Sequence, residues 1–112
     1  MQRPPYERRR YKRLRLPCPI TLYDSQGKAL VASKTIDVSD GGAFLQVPLE
    51  ALPGCGTKVS VALSLPRTTE NTYMLEEVDT NAVVVRHQPM KDETLAGIGV
   101  EFQPPRDLML EV

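Results

Sequence analysis

Arg9 and Arg13, within ERRRYKR, stand four residues apart, and Asp37, Ser39 and Gly42 follow in TIDVSDGGAFL as Asp-x-Ser-x-x-Gly. A spacing of four places both arginines on one side of the backbone, because four residues make about one helical turn and are also an even step along a strand. Guanidinium is planar and always charged. Its fork donates two hydrogen bonds to a phosphate or to O6 and N7 of guanine, and its face stacks on a base, which lysine cannot reproduce. Asp37 and Ser39, two apart near a strand end, face the same way and offer a carboxylate acceptor beside a hydroxyl. The carboxylate suits guanine N1–H and N2–H, the edge that separates guanine from adenine. Gly41 and Gly42 then turn the chain without a Cβ, allowing positive φ and close approach of the backbone to a flat ligand.

Each group alone has a plainer explanation. A run such as ERRRYKR is ordinarily a solvated basic segment or a weak nucleic-acid tail. Asp, Ser and Gly all have local backbone reasons to occupy a turn. Asp37 and Asp40 supply too few ligands for a calcium loop. Cys18 and Cys55 are far apart with no zinc spacing, and read as two reduced thiols. His87, the one histidine, reads as a strand-end surface residue without a nucleophile to serve, and Met74, Met90 and Met109 read as packing residues. No catalytic or metal-ligating set emerges, so the chain reads as a binding module and not an enzyme.

The elements that must position these residues are strands. From Leu14 to Tyr23, in LRLPCPITLY, the apolar residues alternate, which predicts a strand with one buried face; Pro17 and Pro19 suit its opening or a sheet edge. DSQG is a turn, ALVASKTIDVS a second strand, and AFLQVPL (43–49) a third after the DGG break. KVSVALSLP follows with Val59, Val61, Leu63 and Leu65 on one face. Tyr73 to Val78 reads as extended and joined, directly or by a bend, to AVVVRH, and LAGIGVEFQ closes the series. Pro105 suits the start of a short C-terminal helix in PRDLMLEV. Short strands at regular spacing without an amphipathic helix predict an all-β sandwich or barrel.

Charge divides the chain. It is net neutral over 112 residues, yet seven of its fourteen basic residues lie in the first fifteen positions with one acid, Glu7. That segment is six charges positive and the rest six charges negative, which points to an anionic partner for the basic part. Residues 1–13, with Pro4-Pro5 and almost no aliphatic side chains, are expected to form a flexible arm on a barrel domain over 14–112. No apolar run reaches the roughly 18 residues of a membrane span, and the N-terminus carries charge where a signal peptide is apolar. A cytoplasmic protein is the expectation.

The ordered pair RxxxR and (Asp/Asn)xSxxG, with alternating strands between and after, resembles the PilZ domain family of bacterial proteins. ERRRYKRLRLPCPITLY, TIDVSDGGAFLQV, AVVVRH and GIGVEF carry the resemblance across essentially the whole chain. The resemblance implies a six-stranded antiparallel β-barrel and binding of the second messenger cyclic di-GMP. Residue by residue, it implies guanine and phosphate contacts from Arg9 and Arg13, with Asp37, Ser39, Gly41 and Gly42 on the barrel side. Arg8 matches a position where arginine in similar domains accompanies binding of an intercalated ligand pair, so two molecules per chain are expected, with Arg10 the competing candidate. With no output domain in the chain, the signal would pass to a separate protein. Two rivals are a nucleic-acid-binding barrel, disfavoured by the acidic body and the lack of aromatic pairs on a strand face, and a PilZ-like scaffold that binds only protein.

Overall fold

The computed structural model describes residues 11–110, and Arg8, Arg9 and Arg10 lie outside them. Among the described residues six strands form: β1 (Pro19–Tyr23), β2 (Ala29–Ser39), β3 (Gly42–Pro48), β4 (Lys58–Thr68), β5 (Tyr73–Pro89) and β6 (Leu95–Phe102), with a 3-10 turn at Leu49–Ala51. They close into an antiparallel barrel in the order β1-β2-β3-β6-β5-β4, as expected of the alternating segments. Closure pairs β1 with β4, so neither first nor last strand is left as an open edge. Inward side chains come from every strand; Ile20, Leu22, Val38, Leu45, Leu63, Val84, Ile98 and Phe102 are among the core residues that are almost wholly buried.

The N-terminal segment departs from one continuous strand. Leu14 makes an isolated bridge to Val38, with reciprocal N–H···O bonds of 2.8 and 2.9 Å, and regular pairing resumes only at Pro19. Pro17 interrupts the ladder between them. Buried Thr35 compensates: its hydroxyl donates to the Leu16 carbonyl at 2.5 Å and accepts from the Cys18 N–H at 2.8 Å, while its own N–H donates to the Cys18 carbonyl. One threonine thereby satisfies the backbone around the proline and keeps residues 14–18 alongside β2.

β5 is a single strand of 17 residues, with no bend between Val78 and Ala82. Its first part, Tyr73–Glu77, pairs with Ser64–Thr68 of β4 beyond the region where β1 and β6 flank the hairpin. Tyr73, Met74 and Leu75 are exposed there, as is Met109, so Met74 and Met109 are not the packing residues that composition alone suggests. His87 is exposed at the strand end, with Nε2 2.7 Å from the Pro53 carbonyl. Both cysteines are unbridged; burial pushes the Cys18 thiol pKa up, partly offset by its hydrogen bond with Thr35.

The expected C-terminal helix is absent: residues 105–110 have no regular secondary structure. Their backbone groups are used elsewhere. Arg106 N–H donates to the Asp40 carbonyl and Leu108 N–H to the Asp40 carboxylate at 2.9 Å, while the Arg67 guanidinium donates to the carbonyls of Leu108 and Met109 and pairs with Glu76 at 3.0 Å. Held by these bonds, the segment delivers Leu108 into the core at 2% exposure. Pro105 could start a helix, but tertiary partners and apolar burial outweigh that local preference.

Leu108→Ala is therefore expected to cost about 2–5 kcal/mol, as for other buried leucines. Urea unfolding measures it, and a loss below about 1 kcal/mol would show that the C-terminal segment does not complete the core.

Candidate functional site

The residues singled out in DVSDGG reach one surface through an irregularity in β2. Thr35 and Val38 are buried, and uninterrupted alternation from Thr35 would turn Asp37 inward with it. A bulge between Thr35 and Asp37 shifts the parity, so that Val38 enters the core and Asp37 faces outward, while Ser39, at 8% exposure, lines the floor of the same surface. The Leu14–Val38 bridge sets the neighbouring Arg13 beside this edge, its guanidinium 4.0 Å from the Asp37 carboxylate. Both side chains remain partly solvated, at 34% and 19% exposure, so this contact orients more than it stabilises.

The DGG turn is held from three sides. Ser39 Oγ accepts from the Gly41 N–H at 3.2 Å, and the Gly41 carbonyl accepts from the Phe102 N–H at 2.9 Å. Asp40 takes the C-terminal segment. Neither Gly41 nor Gly42 has positive φ; positive φ among glycines occurs at Gly27 and Gly56. The two glycines serve close approach instead. A Cβ on Gly41 would sit 2.3 Å from the ring of Tyr11, and one on Gly42 would sit 2.1 Å from the Val100 carbonyl oxygen.

Arg13, Asp37, Ser39, Gly41 and Gly42 line a single cleft of about 370 Å³ on the outer barrel surface, with Tyr11 over its DGG end. The structure thus brings together every expected site residue that it describes; Arg8 and Arg9 lie outside the described residues. It also adds Phe44, Arg86 and Glu101 to the walls. Phe44 and Arg86 lie across β3 and β5, with the guanidinium carbon 4.8 Å from the ring centroid. In the sequence Arg86 stands out only as part of the strand AVVVRH. The available signal is a basic residue ending an apolar run, which does not reveal the face it occupies. Described charges on the walls balance, with Arg13 and Arg86 against Asp37 and Glu101.

The PilZ domain family model matches residues 7–111. The chain belongs to the PilZ domain family. Its fold is shared with the Bacillus subtilis inhibitor of motility MotI/DgrA, at a TM-score of 0.70 and 17% identity over 91% of this chain and 43% of that one. This PilZ domain thus spans under half the length of MotI/DgrA. A second solved structure, the PilZ domain of YcgR from Escherichia coli with c-di-GMP, aligns at a TM-score of 0.48 and 15% identity over 85% of this chain and 77% of that one. No curated protein matches in sequence. Among the described residues of this PilZ domain, no helix is long and apolar enough to cross a membrane.

The two glycines are expected to respond differently to a methyl group. Gly42→Ala forces backbone against backbone between β3 and β6 and should cost at least about 1–3 kcal/mol. Gly41→Ala meets only a side-chain ring, and should leave thermal stability nearly unchanged while shifting the Tyr11 ring resonances. Equal stability of both variants would contradict the close packing at Gly42.

Proposed function

We propose that this chain is a cyclic di-GMP receptor that binds its ligand in the cleft beside the DGG turn and passes the signal to a separate partner protein. The observation that carries the reading is the convergence of Arg13, Asp37 and Ser39 on one cleft, in a chain of the PilZ family. Asp37 and Ser39 supply acceptors for a guanine edge, and Arg13 supplies a charge-assisted donor within reach of the same ligand. Because the described walls are charge-balanced, attraction for the two phosphates falls to the basic N-terminal residues, Arg8 and Arg9 foremost. These close over the ligand and change what the protein presents to its partner.

Two ligand molecules per chain fit this division of labour. A self-intercalated pair concentrates four negative charges, more than Arg9 and Arg13 neutralise, and Arg8 provides a further contact to the second molecule.

Calorimetric titration of the full chain with cyclic di-GMP, GTP and cyclic di-AMP tests the reading. Selective binding of cyclic di-GMP is expected, with Arg9→Ala and Arg13→Ala each costing about 1.5–3 kcal/mol. Asp37→Ala should weaken guanine selectivity more than phosphate attraction. Absence of heat with micromolar cyclic di-GMP would refute the proposal.

The same titration reads stoichiometry. Saturation at two ligands per chain is expected, falling to one in Arg8→Leu with binding retained; saturation of the wild type at one, or an unchanged ratio in the variant, would remove the role given to Arg8.

A further inference from the structure

Arg86 is placed by more of the structure than a surface cation requires. Strand register pairs Asp37 with Phe44, Phe44 with Gly99 and Gly99 with Arg86, a single row across β2, β3, β6 and β5. Its ends are three inter-strand spacings apart, on the order of 14 Å. Each end also follows a bulge. Val84 enters the core, and regular alternation would send Arg86 after it; the irregularity between Val84 and Arg86 turns the side chain outward, as the one before Asp37 does.

Once outside, the arginine is seated. Its stem crosses β6 at Gly99, where a Cβ would lie 3.0 Å from both Cγ and Nε. Its guanidinium rests on Phe44, whose ring in turn needs Gly97, where a Cβ would meet it at 2.4 Å. Among the described residues no carboxylate lies within ion-pair distance of Arg86, and none accepts a hydrogen bond from it. The result is a fixed planar donor at the far end of the row from Asp37.

We propose that Arg86 is a specificity-determining residue that donates its fork to O6 and N7 of one guanine while Asp37 and Ser39 read the other. The inference rests on the cyclic di-GMP reading above. A guanidinium seated over Phe44 presents a fork that suits a base edge, which is planar and bidentate, and lysine at this position would keep the charge but lose the second donor. The two ends of the ligand are then read by opposite chemistries: acceptors at Asp37, donors at Arg86.

The experiment is a calorimetric titration of the full-length wild type, Arg86→Lys and Arg86→Ala with cyclic di-GMP and with the mixed cyclic GMP–AMP dinucleotide, with thermal unfolding of each protein alongside. On this proposal the molecule read by Asp37 is the one that spans to Arg86, so a mixed ligand held by its guanine at Asp37 presents adenine to Arg86 whichever molecule fills the rest of the cleft. Wild type is expected to prefer cyclic di-GMP by about 5- to 150-fold. Both variants should lose most of that preference, binding the two ligands within a few-fold of each other at unchanged melting temperature. Wild type binding both ligands equally, variants that keep the wild-type preference, or an equal loss for both ligands as for a phosphate contact, would each overturn the role of Arg86 while leaving cyclic di-GMP binding in place. Wild type binding neither ligand would overturn the receptor reading itself.

Discussion

Strand register is the constraint on which the site depends. A closed barrel allows each strand one set of inward positions, and slipping by one residue exchanges the core face for the solvent face. This barrel uses that rule locally at two places. In β2 the bulge after Thr35 releases Asp37 from the inward set, and in β5 the bulge after Val84 releases Arg86. Val38 and Val84 still fill the core, so the outward aim of the two charged residues is obtained without an apolar vacancy behind them. Burying either charge unpaired would cost far more than the local loss of ladder pairing.

The N-terminal residues reach the cleft by an equally specific route. Pro17 prevents an ordinary strand from carrying Arg13 to Asp37, yet the segment stays on β2 because Thr35 satisfies the backbone groups of Leu16 and Cys18 on either side of that proline. The Leu14–Val38 bridge then fixes the residue that directly follows Arg13. Thr35 is the kind of buried polar residue whose removal acts at a distance: it touches nothing in the cleft, but it holds the register of the residue that does.

The strand segments and the DVSDGG loop were legible because alternating Val, Leu and Ile residues and Gly, Pro and Asp breaks act locally; the order in which the strands close was not read from them. The alternation in KVSVALSLP is a pattern within one strand and needs no knowledge of its partners; here Val59, Val61, Leu63 and Leu65 all enter the core. What was not legible depends on partners. The bulge at Asp37 is invisible in TIDVS, since its existence is decided by pairing with Phe44. Arg86 belongs to the site only because Gly99 and Phe44 come from β6 and β3. PRDLMLEV carried a helix-start signal, and it was overridden by Asp40, 68 residues away from Leu108, together with Arg67.

Asp40 gives the DGG loop a second allegiance that bears on how a receptor of this kind could communicate. Its neighbour Gly41 faces Tyr11 and the cleft, whereas its own carbonyl and carboxylate hold Arg106 and Leu108. Leu108 is locked in the core, so the C-terminal segment cannot follow a movement of the loop cheaply. The C-terminal side of the turn is therefore tied to the core, and the opposite side faces Tyr11. On the proposed receptor reading, a response at the C-terminal side would have to break the Asp40 contacts and withdraw Leu108 from the barrel, which favours a response on the N-terminal side.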